Sequence, residues 1–388
     1  MAKGVKIKPI IIQWAIRSSD RELDELSSKF KKINQWISEE SELTVSEINK
    51  LSNELKIPFG YFFLQEPPKE EIELLKYRTI DSEENNKPSR ELIDIIKLME
   101  TKQSFMRDTL IEDGFSPLEF VGSANLSIPP TDLADQIKKQ LGLEGDWNYK
   151  NKDTFNTLLN ACSDSGIVIM RNSVVGASTN RKLNINEFRA FVLIDEYAPF
   201  VFLNTNDSYR AMIFSLCHEV VHIWLGIDEL YNNDYKQDQN YNNKKLEAYC
   251  NQVTAELLLP AASVLSNYDR EKDIFYNIEK TVKAYNVSSL VVCIRYKNLK
   301  LIDNQTFENT YKLLQEKVQE NLEIKSKRKT SGSPSFYTMT KFRLGEKFIN
   351  TVHRKAQEGR ILYSEAYELV GARGKTYDKL IDYVEDKK

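Results

Sequence analysis

Two of the three histidines in this 388-residue chain stand four residues apart in one apolar stretch, Cys217-His-Glu-Val-Val-His222. On an α-helix, positions four apart share a face, so His218 and His222 can grip one metal ion together. Glu219, turned by one residue, can then reach water at that ion. From Asp207 to Gly226 the pattern predicts a single buried helix. Asp207 or Ser208 can cap its start, Phe214, Cys217, Val220, Val221, Trp224 and Leu225 supply apolar positions, and Gly226 suits the left-handed residue that closes a helix. Two imidazoles and a carboxylate are costly to desolvate in so apolar a helix without a partner. A metal ion supplies that partner.

A catalytic zinc site takes three protein ligands and leaves its fourth position to water. Two downstream carboxylates compete for the third place. Glu247 opens the run Glu-Ala-Tyr-Cys-Asn-Gln-Val-Thr-Ala-Glu-Leu-Leu-Leu-Pro260, which predicts a second helix ended near the proline. Glu247, Asn251 and Thr254 form a polar stripe on it, a pattern that a solvent-facing side also produces. Asp228, six residues after His222, is the rival; the spacing that uses it as a ligand wants glycine at 225, where this chain has Leu225.

The stretch Ala198-Pro-Phe-Val-Phe-Leu-Asn204, the helix from Arg210 to His222 and the block from Glu247 to Pro260 together resemble the ImmA/IrrE family of metallopeptidases. The segment Tyr285-Asn-Val-Ser-Ser-Leu290, with Arg295 and Leu301-Ile302, is similar to that family's closing helical unit, so the resemblance covers about residues 150 to 305. It implies that Glu247 is the third ligand and that Asn251 and Glu256 lie in the shell behind the ligands. Cys250 and Thr254 stand where the family favours alanine; both are small. The resemblance further implies a zincin-like core that holds one zinc ion per chain, or another divalent metal such as manganese, with Glu219 as general base. Its expected substrate is one regulatory protein, typically a transcriptional repressor. A different class of function stays open: an antitoxin-like regulator that binds DNA or a neighbouring toxin and keeps the metal fold as scaffold, although an intact Glu219 argues against it. Tyr231, Tyr235, Tyr241 and Tyr249 are candidates to stabilise an oxyanion, and none is singled out.

Before the helix lie three short β-branched and aromatic runs, at 167–170, 190–194 and 200–203, that predict strands. A strand at a sheet edge beside the metal could take an extended peptide by strand addition.

Length predicts two or three domains, and 41% hydrophobic residues suffice for buried cores. No apolar run approaches a membrane span, and residues 1–20 lack a signal-peptide pattern, so a cytoplasmic protein without membrane contact is expected. Cys162, Cys217, Cys250 and Cys293 stand in apolar contexts without close pairing, as reduced core residues do.

Helical patterns at Pro9 to Arg17, Asp20 to Ser27, Lys31 to Ile37 and Thr44 to Leu55, with Asp20 and Thr44 as caps, resemble the Xre-type helix-turn-helix domain often fused to this family. Lys29, Lys31 and Lys32 are its candidate nucleic-acid contacts. Residues 1–70 nevertheless hold 11 Lys and Arg against 11 Asp and Glu, which gives little of the phosphate attraction that dominates DNA affinity. From Lys325 onward the count is 15 basic against 8 acidic residues, with a basic cluster that reads as a hinge before a solvated helical pair and makes Lys327, Arg328 and Lys329 further candidate nucleic-acid contacts. The expected organisation is α+β and mostly helical: a helix-turn-helix bundle at 1–70, a helical connecting region at 71–145, a metallopeptidase core with a small β-sheet at 146–305, and a basic helical region at 306–388.

Overall fold

The computed structural model describes residues 4–19, 21–68, 88–227, 229–231, 241–327 and 334–385. The chain divides into two units, Met1–Lys97 and Leu98–Lys388.

Apolar spacing places the helices of the first unit: Pro9–Arg17, Leu23–Lys29, Ile33–Ile37 and Val45–Leu55, followed by a 3-10 turn at Phe59–Phe63. Ile11, Ile12, Leu26, Trp36, Leu51 and Phe62 are buried together as its core. The start of the fourth helix is a reciprocal capping box, in which the Thr44 hydroxyl accepts from the Glu47 amide at 3.2 Å and the Glu47 carboxylate accepts from the Thr44 amide at 2.7 Å. The second helix starts later than Asp20 would place it: Asp20 lies outside the described residues, and Glu22 occupies the N-cap position without a side-chain bond.

The second unit is built on a mixed sheet of strands β1 (Val168–Asn172), β2 (Ala190–Leu193), β3 (Phe200–Asn204) and β4 (Glu229–Tyr231), in the order β1-β3-β2-β4. β1 runs parallel to β3, while β2 is antiparallel to both β3 and β4. Every residue of β2 and β3 is buried, because these two central strands are covered on both faces, and that is why their sequences are apolar runs without alternation. The helix Tyr209–Leu225 packs on β2 and β3. Its cap is Ser208, which accepts from the Ala211 amide at 3.2 Å; Asp207 instead pairs with Arg189 at 2.5 Å. Gly226 ends it in the left-handed conformation at φ 68°.

Against this helix lies Tyr241–Leu258, stopped by Pro260, which caps the next helix, Ala261–Asn267. Two further helices, Ile274–Tyr285 and Ser289–Asn298, close the core, and Arg295 ties them back through the Leu259 carbonyl at 2.9 Å and the Glu256 carboxylate at 2.5 Å. Phe120, Leu133 and Ile137, from the stretch expected to be a connecting region, are buried in that same core.

After Lys325 the structure departs from the solvated pair expected. Four helices, Phe336–Leu344, Glu346–Gln357, Tyr363–Val370 and Lys375–Glu385, bury Phe348, Ile349, Val352, Tyr377, Leu380 and Val384. Part of the basic excess is spent on anchoring them. Lys355, 3% exposed, donates to Asp113 at 2.5 Å, Arg354 reaches the same carboxylate at 2.7 Å, and buried Lys102 donates to the Leu369 carbonyl. Arg171 of β1 donates to the Phe342 carbonyl at 2.9 Å and lies over the Phe342 ring. No described helix is long and apolar enough to cross a membrane.

Candidate metal centre

His218, Glu219 and His222 lie on the inner half of a helix that is buried from Leu216 to Trp224, and all three are fully buried. The helix Tyr241–Leu258 brings Glu247 up to them. The imidazole Nε2 atoms of His218 and His222 are 3.1 Å apart, and the two oxygens of Glu247 lie 3.3 Å from the first and 3.4 Å from the second. Among the described residues, this is the only group of three ligand types whose donor atoms converge.

Those three separations decide what the cluster fits. Ligands about 2.0–2.2 Å from zinc and about tetrahedrally disposed stand roughly 3.3–3.6 Å from one another. The two ring nitrogens, 3.1 Å apart, each with one carboxylate oxygen at 3.3 or 3.4 Å, come close to those separations and converge as ligands of one ion would. A chain of hydrogen bonds accounts for this less well, since the carboxylate faces both rings while the two ring nitrogens also face each other. Burial pushes the Glu247 carboxyl up, but the charges and hydrogen bonds of His218 and then His222 overcome this and hold it below the usual carboxylate range. The donor set is therefore two imidazoles and one anionic carboxylate, the set used by catalytic zinc sites with an open fourth position.

Behind the ligands, the polar stripe of the second helix faces inward rather than toward solvent. Thr254 is fully buried, and among the described residues the buried Oγ1 of Thr254 and Oδ1 of Asn251 have no hydrogen-bond partner. Glu256 is turned away to Arg295 and to the Ala261 amide, which donates to it at 3.2 Å, so it locks the end of the ligand helix to the closing helices. Tyr249, one of the oxyanion candidates, is 8% exposed and donates its hydroxyl to the Ile128 carbonyl at 2.8 Å, a packing role. Asp228, Tyr235 and the side chains of Tyr231 and Tyr241 lie outside the described residues. All four cysteines are buried and unbridged, and burial pushes the Cys162 thiol up to about 12 and that of Cys217 well above its ordinary value, which keeps them as thiols.

Of the candidate nucleic-acid contacts, Lys29 is bound to Glu54 at 2.7 Å, Lys32 stands 4.0 Å from Glu47, and Lys31 is exposed. Arg328, Lys329 and the side chain of Lys327 lie outside the described residues. Sequence reasoning missed β4, which is too short to show alternation, and the partner of Tyr249, which comes from a segment more than a hundred residues earlier.

Residues 162–297 match the family described as the IrrE N-terminal-like domain, a zinc metallopeptidase family, and all three candidate ligands and Glu219 fall inside the match. The segment is metallopeptidase-like, within the span on which the sequence resemblance rests. Residues 344–383 match a domain of unknown function, DUF8813, a span that takes in the last three of the packed carboxy-terminal helices nearly to their end. No curated protein matches the chain.

Proposed function

With a metallopeptidase-like domain at residues 162–297 as the premise, we propose that this protein is a zinc-dependent endopeptidase that cleaves one regulatory protein, a transcriptional repressor by family likeness. The observation that carries the reading is the convergence of His218, His222 and Glu247: the two Nε2 atoms are 3.1 Å apart, and one carboxylate oxygen lies 3.3 Å from the first while the other lies 3.4 Å from the second. Zinc held there would supply a Lewis acid that makes water a nucleophile near neutral pH and polarises a scissile carbonyl. Glu219 accepts the proton from the attacking water and passes it to the leaving amine nitrogen. Its burial strengthens each electrostatic contact it makes, as expected of a group that acts in a water-poor site.

β4 is an edge strand of the sheet and directly follows the His-Glu helix in sequence. An extended substrate segment adds to that edge through main-chain hydrogen bonds, which places specificity in side-chain pockets beside it. The amino-terminal unit serves as a helix-turn-helix module that engages a protein partner more than a DNA sequence. Supporting this, two of its three candidate lysines are matched by Glu54 and Glu47, which leaves little net positive field.

The test screens repressors encoded near the gene for cleavage by the wild-type chain and by Glu219→Gln with equal metal content. Cleavage by the wild type alone is expected. Cleavage at equal rates by both removes the proposed chemistry, and metal binding without any cleavage of a neighbouring repressor, or tight binding of a neighbouring toxin, favours a non-proteolytic regulator.

A further inference from the structure

The metal ligands come from two helices whose connection spans residues 226–240, so the distance between His222 and Glu247 depends on what ties the helices together. Two stretches of earlier chain are hydrogen-bonded to both. One lies at the far ends: Trp147 and Asn148 donate to the carbonyls of Leu257 and Leu258, while the Phe155 amide donates to the Tyr209 hydroxyl. The other lies at the ligand end. Gly122 donates its amide to the Ile223 carbonyl at 3.0 Å and Ala124 donates to the Trp224 carbonyl at 2.8 Å, on the two residues that follow His222. A few residues on, the Ile128 carbonyl accepts the Tyr249 hydroxyl at 2.8 Å, two residues beyond Glu247.

We infer that residues 120–128 form a clamp that sets the separation of the two ligand helices, with Tyr249 as a positioning residue for the metal centre. The inference rests on the metal reading above and extends it to residues that touch neither metal nor substrate. Three further observations show that the clamp is built closely. Phe120 stacks on Trp224 with ring centroids 4.5 Å apart and an interplanar angle of 23°. A Cβ at Gly226 would stand 2.9 Å from the Gly122 Cα, too close for any side chain. Both glycines also have positive φ, 67° and 68°, so the conformation favours glycine at both positions and the space demands it at Gly226. The hydroxyl of Tyr249 is an added polar group on an otherwise apolar, 8% exposed ring, and its bond to Ile128 gives it a use that phenylalanine could not serve.

The experiment compares the full chain with Tyr249→Phe and, independently, Gly226→Ala. It measures zinc affinity by chelator competition, the visible absorption of the cobalt-substituted protein, and thermal unfolding of the metal-free form. Expected is a loss of about tenfold or more in zinc affinity for Tyr249→Phe, the lower end for groups that orient ligands from behind, together with a shifted or weakened cobalt spectrum. Gly226→Ala should lose more. A merely structural tyrosine would lower the unfolding temperature of the metal-free form while the cobalt spectrum and zinc affinity stayed as in the wild type, and that result overturns the clamp with the metal reading intact. A wild-type chain that binds neither zinc nor cobalt overturns both.

Discussion

Glu219 and Glu247 are carboxylates with opposite proposed duties, one to accept a proton and one to hold a metal, and their substitutions separate those duties. Replacing Glu219 by glutamine keeps shape and burial but removes the basic oxygen pair. Metal content and thermal unfolding should stay unchanged while cleavage falls by about 10²–10⁴-fold, the usual contribution of general acid–base catalysis; a peptide-cleavage assay with metal content measured in parallel checks this. Protons compete with metal at all three candidate ligands, so zinc retained at fixed free concentration should fall as the pH is lowered from neutral through the mildly acidic range. Equilibrium dialysis across that range is the measurement, and occupancy that does not change would argue against imidazole ligands. The two histidines and Glu219 were legible in the sequence because their spacing puts them within reach of one ion, and because so apolar a helix offers them no water in its place. Glu247 was legible only as a candidate: a polar stripe looks the same whether it faces solvent or a metal, and the packing of two helices decides which.

At the scale of elements, the helix starts and stops were the most legible part of the fold. Ser208, Gly226, Thr44 and Pro260 all act where local chemistry places them. The Thr44 box should be worth about 1 kcal/mol, so Thr44→Ala should lower the stability of the amino-terminal unit by about that much in denaturant titration. Less legible was the docking of the carboxy-terminal helices, since the carboxylate that holds Lys355 and Arg354 lies some 240 residues earlier in the chain. The hydrogen bonds of Arg354 and then Lys355 lower the pKa of Asp113 below its ordinary value of 3.8. A lowered aspartate pKa gives stability that is present above about pH 4 and lost as pH falls through the folded value. Asp113→Asn should therefore be less stable than the wild type at neutral pH, by roughly 1–3 kcal/mol because Lys355 stays buried with a weaker partner. The gap should narrow as the wild type itself is acidified below about pH 4; a gap independent of pH would mean that the ion pairs do not hold the docking.

For the whole molecule, charge distribution says less than packing. Two residues of the basic excess after Lys325, Arg354 and Lys355, pair with Asp113, and the helix that carries them is part of the second unit. Deleting that helix would strip apolar cover such as Phe348 from the helix Arg90–Glu112, which its ring meets through Phe105 at 6.0 Å. DNA binding is therefore better tested by charge reversal at Lys31 and Lys32. Weak duplex binding with no sequence preference is expected, and its salt dependence should change little in the double variant; sequence-specific binding at physiological salt that this variant abolishes would identify an operator reader. All of the proposed chemistry depends on one metal held by three side chains. The most direct test is elemental analysis of the purified full chain beside Glu247→Ala and Asp228→Ala. The account predicts one zinc per chain in the wild type and in Asp228→Ala, with most of it lost from Glu247→Ala. Full occupancy in Glu247→Ala together with loss in Asp228→Ala would contradict it.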